Sequence, residues 1–287
     1  MTIRILISGV NPFRSGKTTF AIQLGHFLKE QGINPEYFKP ISGHSYWFHH
    51  NHTKDCIDQN ELFSLDARRV RDELESNFPV IVTNPVHRMF APANIDKPGN
   101  LPITSLALAG WDSVLVMQRF TKYENGKAQS NVVAATELVE NGTTVMNKDT
   151  MRNLTKDSKV VPVDSLKQVR QYEQRNFEDC VQSCFEAIES EADAVIIESF
   201  NNSIWPWEQL KKVDQVFVVG PAQAFEYDPD KFSKAAFLMK RENEPLREVT
   251  MNRIDDLLSP VERIELLPNK GANNEDLHRI SIVTRKD

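Results

Sequence analysis

The stretch that most constrains this chain is its beginning. There Ile3-Arg4-Ile5-Leu6-Ile7 gives way to Gly9-Val10-Asn11-Pro12-Phe13-Arg14-Ser15-Gly16-Lys17-Thr18-Thr19. The first run is short, apolar and β-branched, and reads as a buried strand. Beyond the turn, Phe20, Ile22, Leu24, Phe27 and Leu28 recur at helical spacing, which predicts a helix from about Gly16 to Gln31 that ends at Gly32. A strand that feeds a glycine-bearing turn and then a helix leaves successive backbone N–H groups open at the helix start. The helix dipole adds partial positive charge there and Lys17 a full one, so the turn is suited to hold phosphate. Thr18 would offer its hydroxyl to a Mg²⁺ that bridges phosphates. Asn11, Pro12, Phe13, Arg14, Ser15, Gly16, Lys17, Thr18 and Thr19 are therefore the candidate nucleotide-binding residues. One position departs from the usual spacing. A glycine belongs five residues before Gly16, where Asn11 stands, and the available Gly9 lies two residues earlier. Asparagine tolerates positive φ, so Asn11 is expected to let the loop close.

At 287 residues the chain is long enough for one large α/β domain or two smaller ones. With 40 acidic against 34 basic residues, a net charge of −6 argues against wholesale binding to a nucleic-acid backbone. No apolar run approaches the roughly 20 residues needed to span a bilayer, and the first apolar stretch is too short for a signal peptide. Three cysteines, an odd number, lead to the expectation of reduced thiols and a cytoplasmic protein.

Further along, Pro35 to Ile41 reads as a short strand that runs into Pro40 and Gly43. His44 to Cys56 is dense in histidine and aromatic residues. A polar helix is expected over 60–77, an extended segment over 79–85 and a proline-bearing loop over 86–103. Strands are expected at 111–118, 194–198, 213–219 and 248–254, with a long amphipathic helix over 164–191. The polar stretch 119–160 suits a hairpin or small helices, and 255–287 a mixed tail. Apolar strands alternating with helices point to parallel β-structure with crossover helices, whose ligands bind at the carboxyl ends of strands. That rule singles out the loop from Gly9 to Thr18, Lys39-Pro40, Asn84-Pro85, Glu198 and Asn252. Lys39 would aim a cation at phosphates or an anionic substrate. Glu198 ends a strand too apolar for the surface, so its carboxylate needs a cation, a metal or water.

The segment from Gly9 to Gly43 resembles the start of dethiobiotin synthetases and their relatives among P-loop amide-forming enzymes, in the wider class that includes MinD-type ATPases. The likeness rests on Gly16-Lys17-Thr18 followed by Phe38-Lys39-Pro40-Ile41-Ser42-Gly43 at the matching distance. Thr83-Asn84-Pro85 with Ala91-Pro92 looks like the family's Asn-Pro stretch, and Asp193 to Glu198 like its strand that ends in a Mg²⁺-binding Glu. Met251-Asn252-Arg253-Ile254-Asp255 is similar to the segment that contacts adenine. The resemblance also implies a second metal-site acid among Asp55, Asp58 and Asp66. Asp55-Cys56-Ile57-Asp58 resembles the Asp-x-Ile-Asp of cobyrinic acid amidases, which favours Asp58. Two departures stand out. Ser199-Phe200-Asn201-Asn202 replaces the synthetases' Gly-Ala-Gly-Gly turn, and Pro12 fills the slot of the second MinD-type lysine. Arg14 is the loop's nearest charged group.

The resemblance implies a three-layer α/β P-loop NTPase fold with a mostly parallel central sheet flanked by helices. It would form a single domain with its core over about 1–255, an insertion at 119–160 and a C-terminal extension from 256. The activity implied is γ-phosphoryl transfer from Mg·ATP, to a carboxylate or carbamate for ligation or to water. Lys17 and Lys39 would be catalytic, and Thr18, Glu198 and Asp58 would hold Mg²⁺. The partners would be ATP and a small-molecule or protein substrate, with a homodimer compatible and no membrane. Rival readings on the same core are a regulatory switch with slow hydrolysis and a small-molecule or polynucleotide kinase. His44, His49, His50, His52 and Cys56 offer enough ligands for a transition metal. Lacking a matched partner pair, the segment reads rather as a lid with Tyr46, Trp47 and Phe48 on its apolar side.

Overall fold

The computed structural model describes residues 2–95, 106–108, 110–267 and 271–272. In chain order its elements begin with β1 (Ile3–Gly9), α1 (Lys17–Glu30), β2 (Pro35–Phe38), β3 (Ile41–Ser45), α2 (His50–Asp58), α3 (Leu65–Glu73) and α4 (Val80–Thr83). Next come β4 (Val86–Ala91), β5 (Val114–Glu124), β6 (Lys127–Ala134), α5 (Thr136–Glu140), α6 (Lys148–Leu154), β7 (Lys159–Pro162) and α7 (Leu166–Glu189). The last are β8 (Ala194–Glu198), β9 (Gln215–Gly220), β10 (Gln223–Tyr227), α8 (Pro229–Met239), β11 (Glu262–Leu267) and β12 (Gly271–Ala272). The chain divides into two compact units, one of residues 1–40, 66–79 and 185–287, the other of 41–65 and 80–184. The stretch 119–160, expected as an insertion, lies wholly within the second unit.

The first unit carries a seven-stranded sheet in the order β12-β11-β10-β9-β1-β8-β2. Its β9, β1, β8 and β2 run parallel, while β10, β11 and β12 pair antiparallel. The mostly parallel sheet expected from the sequence is thus only partly parallel, because the chain turns back on itself after Gly220 and the strands added beyond β9 pair antiparallel. In β1, flanked on both sides by parallel strands, Ile5, Leu6 and Ile7 are fully buried, as a strand covered on both faces requires. Phe20, Leu24, Phe27 and Leu28 of α1 join Ile5, Ile7, Ile196, Phe217 and Val219 in one core cluster. Phe20 meets Phe217 edge-on at 5.4 Å between ring centroids. Helix α1 ends as expected, one turn from Gly32 at φ 76°. Gly25 is needed for close approach, since a Cβ there would lie 2.5 Å from a Leu74 methyl.

The second unit holds a mixed five-stranded sheet, β3-β4-β5-β6-β7, with its inner pairings antiparallel and its outer ones parallel. Arg119 of β5 is buried at its centre. It donates to the carbonyls of Leu62 at 2.6 Å, Asn84 at 2.7 Å and Pro85 at 3.1 Å, and to Thr121 Oγ1. Burial opposes its charge and lowers its pKa to about 10.

Four local expectations are corrected. Residues 80–83 form a short helix, not an extended segment, closed by the Asn84 N–H on the Val80 carbonyl. Residues 86–91 are a central strand rather than loop, and the expected loop's 96–103 lies outside the described residues. Met251–Arg253 is a 3₁₀ turn, as is Leu246–Glu248, so 248–254 is no strand. The polar helix shrinks to Leu65–Glu73, with Leu65 exposed. The long amphipathic helix and the strands β8 and β9 stand where the pattern put them, β5 starts at Val114 and runs on to Glu124 rather than ending at 118, and the tail beyond 272 lies outside the described residues. No described helix is long and apolar enough to cross a membrane.

Candidate functional site

The site at the strand ends of the first unit begins with the loop after β1. Ser15 Oγ donates to the Asn11 carbonyl at 2.8 Å and accepts from the Asn11 N–H at 3.2 Å, closing the turn on itself. Asn11 does not supply the positive φ. Arg14 (φ 57°) and Gly16 (φ 91°) do. Gly9, not Asn11, is the position that must lack a side chain. A Cβ there would lie 2.9 Å from both Lys17 Nζ and Ser15 Oγ, so a side chain at Gly9 would displace the Lys17 ammonium and the Ser15 hydroxyl. Asn11, Pro12, Phe13 and Arg14 are exposed, while Ser15 and Lys17 are buried. Gly16 caps α1 without a side-chain hydrogen bond, so the N–H groups at that helix start stay available to an anion.

The ends of β2 and β8 bring charge to the same place. Glu198, its side chain 1% exposed, ends β8. Lys39 Nζ lies 2.8 Å from Glu198 Oε1 and 2.6 Å from Asp66 Oδ2 at the start of α3. Tyr37 OH donates to Glu198 Oε2 at 2.7 Å, and Thr18 Oγ1 donates to Oε1 at 3.3 Å. Burial works against charge on Lys39, but the attraction of Glu198 and Asp66 outweighs it and holds the ammonium above its ordinary pKa. Burial, with the charges of Glu198 and Asp66, pushes Tyr37 well up, so its phenol stays a donor. Lys17 goes the other way. Burial lowers its pKa, Lys39 adds repulsion, and Glu198 and Asp66 only partly offset them. Its Nζ donates to the Asn201 carbonyl at 2.7 Å, and Asn201 holds a left-handed φ of 52°.

The structure thus brings together Lys17, Thr18, Lys39 and Glu198. Of the three candidate acids, Asp66 is the one placed with them. Asp58 ends α2 as an exposed residue of the second unit, whereas Asp66 accepts from Lys39 in the first. Asn252 is exposed on its 3₁₀ turn, where its amide accepts from Thr250 Oγ1. The neighbouring Met251 N–H binds the Asn202 carbonyl, which ties this segment to the loop that follows Glu198. Tyr37 stands two residues before Lys39, so its hydroxyl projects from the same side of the chain toward Glu198.

The second unit has its own polar cluster. His44, His52 and His87 are all buried and offer ligand atoms within 4.8 Å of one another. The expected lid is instead strand β3 and helix α2, with His44, His52, Thr53 and Cys56 inside and Trp47 and Phe48 outside. Burial, reinforced by His52 and His49, holds His44 well below the ordinary histidine range. His87 was missed because it lies in the segment taken for loop.

Searches of this chain against protein-family models and curated proteins, and of its fold against solved structures, find no match.

Proposed function

We propose that the first unit is a Mg·ATP site of P-loop type, on the layered α/β core of the dethiobiotin synthetase and MinD class. Its reaction is γ-phosphoryl transfer, to a carboxylate or carbamate in ligation or to water. The observation that carries this reading is the convergence of Thr18 and Lys39 on the buried Glu198, beside a loop whose Gly9 admits the Lys17 ammonium. Thr18 Oγ1 and Glu198 Oε1 are hard oxygen donors 3.3 Å apart, the donor class Mg²⁺ prefers, and both would hold it. The ion would neutralise charge on the β- and γ-phosphates.

The chain's own residues divide the remaining work. Lys17 binds the phosphates. Its charge is destabilised by burial and held by a carbonyl, so a phosphate oxygen is a better partner than the one it has. Backbone N–H groups from Gly16 onward orient the phosphate chain. Lys39 stays cationic and positions Glu198 and Asp66 while facing the developing charge. Tyr37 holds the second Glu198 oxygen and keeps the carboxylate oriented. Ser199-Phe200-Asn201-Asn202 in place of a glycine turn implies an acceptor other than the synthetases' own. The test is phosphate release from Mg·ATP during a screen of carboxylate and amine metabolites. The reading expects turnover that a substrate stimulates and that falls at least a hundredfold in Glu198→Ala, consistent with loss of a metal-holding group. Turnover equal to wild type in Glu198→Ala would contradict it.

A further inference from the structure

We propose that His44, His52 and His87 form a binding site for a divalent transition metal of the imidazole-preferring class, zinc or its neighbours, inside the second unit. This inference stands apart from the nucleotide reading and uses none of its residues.

The Phe63 carbonyl can only accept, so His52 Nε2, at 2.9 Å, carries the proton. Thr53 Oγ1 lies 3.2 Å from His44 Nε2 and can accept from it while donating to the His49 carbonyl at 3.3 Å. Asn84 is oriented by its amide donating to the Val86 carbonyl at 3.2 Å, so its oxygen faces Ser42 and accepts from the hydroxyl at 2.9 Å. Ser42 Oγ in turn accepts from His87 Nδ1 at 2.6 Å. In that set of tautomers each imidazole turns its proton outward, and His44 Nδ1, His52 Nδ1 and His87 Nε2 carry the lone pairs a metal needs. Two of these, His44 Nδ1 and His87 Nε2, face each other at 2.6 Å. At that distance the two nitrogens share either a proton or, in the tautomers above, a cation. Among the described residues the cluster's donors are all imidazole nitrogens, the donor set a transition metal takes. Partners behind each ligand that fix its tautomer are the arrangement metal-binding histidines use.

The elements that carry the ligands are rigid. β3 and β4 pair in parallel with Ser42 opposite His87 and His44 opposite Met89, which sets His44 and His87 on adjacent strands. His52 comes from α2, its ring centroid 4.6 Å from that of His44. With metal–nitrogen bonds of about 2.0–2.1 Å, two tetrahedral ligands sit about 3.3 Å apart. His44 and His87 therefore open by less than 1 Å. Three nitrogens suit zinc, cobalt, nickel or copper and disfavour Mg²⁺ and Ca²⁺, which take oxygen. Cys56 Sγ lies 3.6 Å from the protonated Nε2 of His52 and 3.8 Å from the Phe63 carbonyl. It packs behind a ligand and is not one.

The experiment strips the full chain with a chelator and titrates it with Co²⁺, then displaces Co²⁺ with Zn²⁺. One equivalent should bind with the visible d–d bands of a tetrahedral site. The affinity should fall at least a hundredfold in His87→Ala and in His44→Ala, and stay within a few-fold of wild type in Cys56→Ser and His50→Ala. Wild-type protein labelled with ¹⁵N-histidine gives a readout that needs no variant. Zn²⁺ should shift the ring nitrogens of His44, His52 and His87 and leave those of His26, His49 and His50 in place. No stoichiometric binding by wild type, binding undiminished in folded His87→Ala, or shifts confined to the exposed histidines would each overturn the proposal.

Discussion

The two units each bury a cluster of polar side chains, and the clusters are opposites. In the first, Lys39 and Glu198 are a buried ion pair, the half-exposed Asp66 also bonds Lys39, and Thr18 and Tyr37 donate to Glu198. In the second, His44, His52 and His87 each hydrogen-bond to a group outside the trio, Thr53, Phe63 or Ser42. A buried charge is tolerable only while its partner remains, so the first cluster is interlocked. An imidazole anchored by its own hydrogen bond is not. The difference separates hard oxygen chemistry from imidazole chemistry within one chain, and it makes the clusters respond differently to the same kinds of perturbation.

The largest effect should come from Lys39→Met. It strands Glu198, and chemical denaturation should show a loss of about 3–5 kcal/mol. Much of that should return in Lys39→Met/Glu198→Gln. A loss below about 1 kcal/mol would mean that the pair is not the linchpin of the first unit. His87→Ala should lose less, about 1–3 kcal/mol, when measured without added metal. With Zn²⁺ at a hundred times its dissociation constant, wild type should gain about 2.7 kcal/mol and the variant nothing, while Mg²⁺ without nucleotide should stabilise neither.

The charged cluster should also show in alkali. The folded pKa of Lys39 stands above its unfolded value, so the stabilisation it brings is complete below about pH 10.4 and is lost as pH rises beyond it. Above that pH the unfolding free energy of wild type should fall more steeply than that of Lys39→Met, whereas parallel curves would remove the coupling. Smaller still is the expected effect of Lys17→Met. Because burial already disfavours this ammonium, its removal should leave the melting temperature unchanged or slightly higher, as is common where function rather than stability holds a residue. The smallest effect is chemical. Cys56, Cys180 and Cys184 are free and buried, and burial pushes their thiols up to about 12, 11 and 12. All three should react with a disulfide reagent at pH 8 only after denaturation.

The comparison also explains what could be seen in advance. The ionic cluster was largely legible because each member ends or follows an apolar strand or a glycine turn. Glu198 ends an apolar strand, Lys39 directly follows one, and Lys17 and Thr18 open the helix after the glycine turn. Asp66 was one of three acids that spacing could not separate, since only the fold decides which unit a short helix joins. The loop at Gly9 looked irregular because the constraint is a contact with Lys17 and Ser15 rather than a conserved spacing. The histidine cluster was half visible. His44 and His52 lie in the conspicuous segment, but His87 sits in Val86-His87-Arg88-Met89-Phe90-Ala91, where the buried residues include a histidine and Arg88 bonds to the buried Glu173. A strand whose inward face is polar does not show the apolar alternation by which strands are found.

Calorimetric titration of the full chain with Mg·ATP, in wild type and Lys17→Ala, tests the nucleotide site most directly. The account predicts saturable one-to-one binding by wild type and at least a tenfold loss of affinity in a variant whose melting temperature is unchanged. Equal binding by the two proteins, or none by either, would contradict it.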